Sequence, residues 1–110
     1  MPHDFTNPSD QGYIQGAPGI RRKTLTYGQN MLLCEFRLEA GNLLPHHSHP
    51  EEQAGYLVSG RIVLHYDNVA HDVLPGGSWC IPGGMEHWAE VLQDSVAIEV
   101  FAPVRQDYLL

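Results

Sequence analysis

The most informative stretch of the chain is residues 41–60, which read GNLLPHHSHPEEQAGYLVSG. It sets His47 and His49 two positions apart and places Gln53 four positions further on. Residues i and i+2 of a strand point to the same face, so both imidazoles can converge on one ion. The stretch therefore predicts a strand that carries metal ligands.

A second stretch, residues 76–87, reads GGSWCIPGGMEH and brings His87 from another strand. Imidazole suits Zn, Fe, Ni, Cu and Mn, and an amide oxygen is a weaker, neutral ligand. Three or four protein ligands leave coordination positions for substrate or water, as a catalytic site requires. We therefore predict a divalent transition metal (Ni, Zn, Fe or Mn) held by His47, His49, Gln53 and His87.

The chain has seven histidines, and most histidines in proteins are ordinary surface or core residues. His46 is expected to point away from its neighbour on the strand, and His3, His65 and His71 are not expected to bind metal. Glu52 remains an alternative fourth ligand on spacing alone. Glu51 directly follows a proline and is harder to fold back onto the ion.

The chain has 110 residues, and 43% of them are hydrophobic, which predicts one domain over residues 1–110. Residues 1–19 are expected to form an irregular lead-in. The net charge of −7, with six Lys and Arg, disfavours nucleic-acid binding. No apolar run approaches the roughly 20 residues of a membrane helix, and no signal-peptide core begins the chain. We therefore expect a cytoplasmic protein.

Cys34 and Cys80 lie far apart and match no metal-binding or redox spacing, so two buried structural thiols are expected rather than a disulfide. The lead-in carries apolar Phe5, Tyr13 and Ile14 in a segment too irregular to form its own core. Such a segment can pack against a second copy, and we therefore predict a homodimer.

Glycine and proline divide the chain into short segments, which disfavours helices. In residues 31–39 apolar and charged side chains alternate, as in a half-buried strand. Turns are expected at residues 59–60 and 67–68. About eight to ten short strands predict an all-β antiparallel sandwich or barrel. The predicted strands include 21–27, 31–39, 55–59, 61–66, 69–74, 78–81, 88–92 and 95–101.

The last strand carries a second group of candidate site residues. Glu99 and Phe101 share one face, and Glu99 stands between Ile98 and Val100, where a carboxylate is costly to bury without a role. Arg105 follows a proline turn, and its planar guanidinium suits a substrate carboxylate. Alternatively, Arg105 forms a structural ion pair with Glu99 or with the nearby Asp107.

The two histidine stretches resemble the two motifs of the cupin family. Gly41-x5-His47-x-His49-x3-Gln53-x6-Gly60 is similar to the first motif, and Gly76-x5-Pro82-x-Gly84-x2-His87 is similar to the second. The resemblance implies a small antiparallel β-barrel, a double-stranded β-helix of the jelly-roll type. Two positions depart from the pattern. Gln53 stands where most cupins carry a glutamate ligand, and Val91 stands where many have asparagine.

The tail, with Pro103-x-Arg105-x-Asp107-Tyr108-Leu109, resembles single-domain cupins of the KdgF family of pectin degradation proteins. That family ketonises 4,5-unsaturated uronates. The resemblance implies metal ligands at His47, His49, Gln53 and His87, and catalytic roles for Glu99, Phe101 and Arg105. The family's acid is an aspartate, so Glu99 is a departure.

Three functions are therefore open. The first is a metal-dependent enzyme for a small, acidic, sugar-derived substrate, with Arg105 binding its carboxylate and Glu99 moving a proton. The second is a metal-dependent dioxygenase, which the wider cupin superfamily also includes. The third is a non-catalytic module that binds a sugar or metabolite, because fold alone does not fix function.

Overall fold

The computed structural model describes residues 4–109, which form an antiparallel sheet followed by a short 3-10 helix. The prediction of an all-β antiparallel barrel is confirmed. No helix in this part of the chain is long and apolar enough to cross a membrane. The elements are β1 (Ile14–Gln15), β2 (Ile20–Tyr27), β3 (Leu32–Leu38), β4 (Leu43–His47), β5 (Glu52–Tyr66), β6 (Val69–Val73), β7 (Ser78–Ile81), β8 (His87–Ala102) and the 3-10 helix Gln106–Tyr108.

Two long strands, β5 and β8, organise the barrel by pairing with each other along most of their length. The first half of β5 also pairs with β7, and its second half pairs with β6. The first half of β8 pairs with β4, and its second half pairs with β3. Each long strand therefore runs through both halves of the fold, and the halves enclose one interior.

Strand β3 shows how the sequence pattern fills that interior. Leu32, Cys34, Phe36 and Leu38 are all buried and share the inner face, as their alternation with charged residues predicted. The expectation for Cys80 was wrong. On β7 the buried residues are Trp79 and Ile81, so the cysteine between them faces outward and is exposed.

The predicted turn at residues 59–60 is also wrong, because β5 continues through it. The pairing of β5 with β8 shifts register around this point, so Gly60 marks a bulge in a continuous strand. The predicted strands 88–92 and 95–101 likewise form one continuous strand, β8, which pairs with β5 across this bulge. The expected turn at residues 67–68 is present, and Asp67 and Asn68 both have positive φ there.

Gly60 cannot be replaced without strain. Its φ is +90°, and a Cβ there would lie 2.1 Å from the Ser95 hydroxyl oxygen and 2.4 Å from the Asp94 carbonyl oxygen. We therefore expect Gly60→Ala to lower the free energy of unfolding by about 3 kcal/mol, measured by urea denaturation. Gly28→Ala is the control, because nothing lies within 4 Å of its Cβ position. Equal loss in both variants would contradict this account of the bulge.

The described part of the lead-in, residues 4–19, contains the two-residue strand β1, so it is not wholly irregular as expected, and it packs against the outer side of its own sheet. The Tyr13 hydroxyl donates a hydrogen bond to Glu35, and the Arg37 guanidinium carbon lies 4.5 Å from the centre of the Tyr13 ring. The Lys23 ammonium donates to the Ser9 carbonyl oxygen at 2.9 Å. Tyr13 therefore has partners within its own chain, and the homodimer stays a prediction.

Candidate metal centre

Three histidines converge inside the barrel from two strands and one connecting segment. His47 is the last residue of β4 and lies opposite His87, the first residue of β8. His49 lies beyond the end of β4, so the expectation that His47 and His49 share one strand was wrong. The bend after β4 still returns the His49 ring to within 5.8 Å of the His47 ring, centre to centre.

Each of the three rings is oriented by a contact between its Nδ1 atom and a backbone carbonyl oxygen. The Nδ1 atoms lie 2.8 Å from the Pro45 oxygen for His47, 3.0 Å from the Glu51 oxygen for His49, and 2.9 Å from the Met85 oxygen for His87. A carbonyl oxygen only accepts, so each Nδ1 carries the hydrogen and donates it. In the neutral ring with this tautomer, Nε2 carries no hydrogen and its lone pair is available to a metal.

The three histidines place potential ligand atoms close enough together to share one cation. One potential ligand atom from each of His47, His49 and His87 lies within 4.8 Å of the other two. The His87 side chain is 1% exposed, and its Nε2 is buried without a hydrogen-bond partner. A buried, unpaired acceptor is costly, and a bound metal ion would satisfy it.

Gln53 adds an oxygen to this group. Its Nε2 donates a hydrogen bond to Glu99 at 3.0 Å, which fixes the orientation of the amide and turns Oε1 towards His49. Gln53 Oε1 lies 2.6 Å from His49 Nε2. Both atoms are potential metal ligands, and they lie next to each other at the histidine group. The donor set of three imidazoles and one amide oxygen therefore fits a divalent transition metal.

Burial keeps two of these imidazoles neutral. It lowers the pKa of His47, and it lowers the pKa of His87 to about 4, because the interior disfavours the charged ring. A neutral ring at neutral pH is ready to bind a metal without first releasing a proton.

The competing candidates lie elsewhere. Glu52 is exposed on the outer face of β5, and the Glu51 carboxylate lies 3.6 Å from Nδ1 of His49, the nitrogen that faces away from the other rings. His46 is on the outer surface, where it pairs with Glu86 and stacks on Trp88. His65 and His71 are also outside the group, since His65 contacts Glu90 and Trp88 while His71 stacks on Tyr66. His3 lies outside the described residues.

Glu99 lies beside the predicted ligands, as its place on the inner face of β8 implied. Its Oε1 accepts hydrogen bonds from Gln53 Nε2 and from the Trp79 indole, each at 3.0 Å. Burial raises the pKa of Glu99 to about 7, although both hydrogen bonds and the Arg105 charge oppose the rise. This carboxyl group can therefore hold or release a proton near neutral pH.

Sequence reasoning did not identify Trp79 as a partner of Glu99. The signal is the glycine opposite it: Trp79 pairs with Gly55 across β5 and β7, and a Cβ on Gly55 would lie 2.1 Å from the indole. The missing side chain makes room for the indole, which then reaches the Glu99 carboxylate.

A cavity beside the histidines has His47, Gln53, Glu99, Phe101 and Arg105 among its lining residues. Phe101 is 1% exposed, and its ring meets that of His49 edge to face at 5.5 Å between centres. The structure places every predicted site residue at this cavity or, for His49 and His87, directly beside it.

Arg105 contributes a positive charge to the wall of the cavity. Its Nε donates to the Asp107 carboxylate at 3.1 Å, which is one of the two ion pairs that the sequence left open. Its guanidinium also stacks over the Tyr108 ring at 4.0 Å. The ion pair with Asp107 and a place in the cavity wall are therefore compatible.

A small antiparallel β-barrel with inward-facing histidines that can hold a transition metal defines the class of this protein. The chain belongs to the cupin family, because the Cupin domain model matches residues 34–102. The resemblance noted from the two motifs is thus confirmed. No curated protein sequence matches the chain.

Solved structures agree with this assignment. KdgF from Halomonas sp. is similar with a TM-score of 0.89 and 26% identity, covering 97% of this chain and 100% of that one. An RmlC-like cupin from Shewanella frigidimarina NCIMB 400 has a TM-score of 0.88 at 22% identity, covering 94% of each chain. A salicylate 1,2-dioxygenase from Pseudoaminobacter salicylatoxidans has a TM-score of 0.74 at 11% identity, covering 77% of this chain and 26% of that one. The last two show likeness of fold alone.

Proposed function

We propose that this cupin is a metal-dependent enzyme that ketonises small 4,5-unsaturated uronates. The observation that carries the proposal is the set of residues that line one cavity. The predicted ligands His47 and Gln53, the carboxyl group of Glu99 and the guanidinium of Arg105 line the same cavity. Similarity to KdgF from Halomonas sp. over nearly the whole chain supports the same substrate class.

In this proposal His47, His49, Gln53 and His87 hold the metal. When bound, the metal supplies Lewis-acid polarisation of substrate oxygens. All four ligands are neutral, so the ion keeps its full positive charge, in contrast to a site with a carboxylate ligand. Such a centre favours a hydroxylated, anionic substrate.

Arg105 binds the substrate carboxylate in the proposed complex. Its Nε is engaged by Asp107 at 3.1 Å, which holds the guanidinium in one orientation at the cavity. A fixed guanidinium accepts a carboxylate through parallel hydrogen bonds and so positions the sugar. Phe101 packs against the His49 ring and against Tyr108, which restricts the space next to the ligands.

Glu99 moves the proton. Ketonisation converts an enol into a ketone by placing a proton on the carbon of the double bond while the enol oxygen loses one. A protonated Glu99 supplies the first proton and becomes a carboxylate, and the proton that the enol oxygen loses returns Glu99 to its protonated form, so no proton is consumed. Trp79 and Gln53 both donate to Oε1, which orients the carboxyl group for this exchange.

Turnover is measured directly by the loss of ultraviolet absorbance from the conjugated double bond. We expect the metal-loaded protein to remove the absorbance of unsaturated galacturonate or unsaturated mannuronate, and chelator-treated protein to be at least 100-fold slower. The saturated acids have no such double bond and serve as blanks. No absorbance loss with either unsaturated acid would contradict the proposal, and oxygen uptake with diketone or flavonol substrates would favour a dioxygenase instead.

A further inference from the structure

A second arginine lies next to the cavity and has no part in the function proposed above. Arg22 is on β2 and pairs with the buried Phe36 of β3, which places it on the inner side of the sheet. Its Nη1 atom is buried without a hydrogen-bond partner. A buried guanidinium N–H without an acceptor is costly, so it marks a position where an acceptor is expected.

The Tyr108 ring contacts this arginine and also lines the cavity. The Arg22 guanidinium carbon is 3.9 Å from the centre of that ring, and the Arg105 guanidinium carbon is 4.0 Å from it. The two guanidinium groups are therefore separated by no more than the sum of these distances. Tyr108 lines the cavity together with Arg105, whereas Arg22 does not.

The geometry points to a two-arginine carboxylate site. We propose that Arg22 is a second carboxylate-binding residue and that the Tyr108 ring covers it until an acidic sugar binds. Cation–π attraction to both guanidinium groups holds the ring, and a carboxylate that contacts both groups in its place gains charge-assisted hydrogen bonds that are stronger. The inference rests on the proposed substrate class but not on the proposed reaction.

A rotation of the Tyr108 ring would give up its contacts with Phe101 at 5.4 Å and Phe36 at 6.2 Å, measured between ring centres. The 3-10 helix Gln106–Tyr108 has no side-chain hydrogen bond at its N-terminal cap. The Tyr108 carbonyl oxygen accepts a hydrogen bond from the Thr24 hydroxyl at 2.7 Å, and this bond can hold the backbone while the ring rotates. In this proposal, rotation of the Tyr108 side chain opens Arg22 to the cavity while the backbone stays in place.

Binding of saturated galacturonate tests this inference by titration calorimetry. The saturated acid cannot be ketonised, so the result does not depend on turnover. The protein is first treated with a chelator, so that a bound metal cannot coordinate the carboxylate and contribute to the measured Kd. We expect Arg22→Gln to raise the Kd for galacturonate about tenfold and Arg22→Lys to raise it less, because lysine keeps the charge but loses the planar guanidinium.

Arg21→Gln is the matched control. Arg21 is the neighbouring residue on the same strand, carries the same charge and is exposed on the opposite face, so its Kd should change less than twofold. Tyr108→Ala should bind galacturonate more tightly than the unsubstituted protein, and adding Arg22→Gln should remove that gain.

Three outcomes would overturn the inference. They are an unchanged Kd in Arg22→Gln, equal losses in the Arg21 and Arg22 variants, and no galacturonate binding by the unsubstituted protein. Turnover of the unsaturated acids by an Arg22→Gln protein with unchanged KM would also count against Arg22, while leaving the proposed reaction intact.

Discussion

Glu99→Gln is expected to reduce turnover of unsaturated uronates by roughly 1,000-fold, because an amide cannot donate and recover a proton as a carboxyl group does. The substitution preserves the surroundings of the site. Oε1 of Glu99 accepts from Trp79 and from Gln53, and the amide oxygen of glutamine can accept both hydrogen bonds. Metal content and the free energy of unfolding should therefore change little, and the effect should fall on kcat.

Glu52→Gln is the control for that experiment. Glu52 is a glutamate next to Gln53 on the same strand, but it is exposed on the outer face. The same chemical change there should leave kcat within twofold of the unsubstituted protein. A Glu99→Gln protein that keeps normal kcat would show that another group moves the proton. If substrate binding persisted and the unsubstituted protein showed no turnover, a sugar-binding module would be the better description.

His87→Ala is expected to weaken metal binding by about 100-fold or more, measured by elemental analysis after dialysis against a competing chelator. His87 supplies a buried Nε2 that has no hydrogen-bond partner, so its loss removes one predicted ligand from the group. The buried ring also leaves a cavity when it is removed, so thermal unfolding must be measured alongside.

His46→Ala separates loss of a ligand from a general effect of removing a histidine. His46 adjoins the ligand His47 in sequence, but its ring stacks on Trp88 and pairs with Glu86 at the surface. Metal content should be unchanged in this variant. Equal metal loss in the His46 and His87 variants would refute the assignment of ligands from the interior group.

The sequence was sufficient to predict the fold class and the cluster of histidines, because both depend on local patterns. Alternation of apolar and charged residues predicted the inner face of β3, and this pattern holds at Leu32 and Cys34. The turn predicted at Gly60 was wrong, because this glycine lies in a bulge of a continuous strand. A glycine with positive φ serves a turn and a bulge equally well, and only the pairing of β5 with β8 distinguishes them.

The features that the sequence did not reveal depend on contacts between distant residues. The orientation of the Gln53 amide follows from Glu99, 46 positions away in the chain. The stacking of Arg22 on Tyr108 joins β2 to the C-terminal 3-10 helix, and no spacing rule links those positions. Cys80 was misplaced because a strand as short as β7 shows too little alternation to define its inner face.

The most direct test of the central claim is anomalous X-ray scattering from crystals of the metal-loaded protein. We predict one strong peak inside the barrel, at about 2.0–2.2 Å from Nε2 of His47, His49 and His87 and from Oε1 of Gln53. A peak at the outer surface beside His46 and His65, or a peak bonded to Nδ1 atoms, would contradict the assignment.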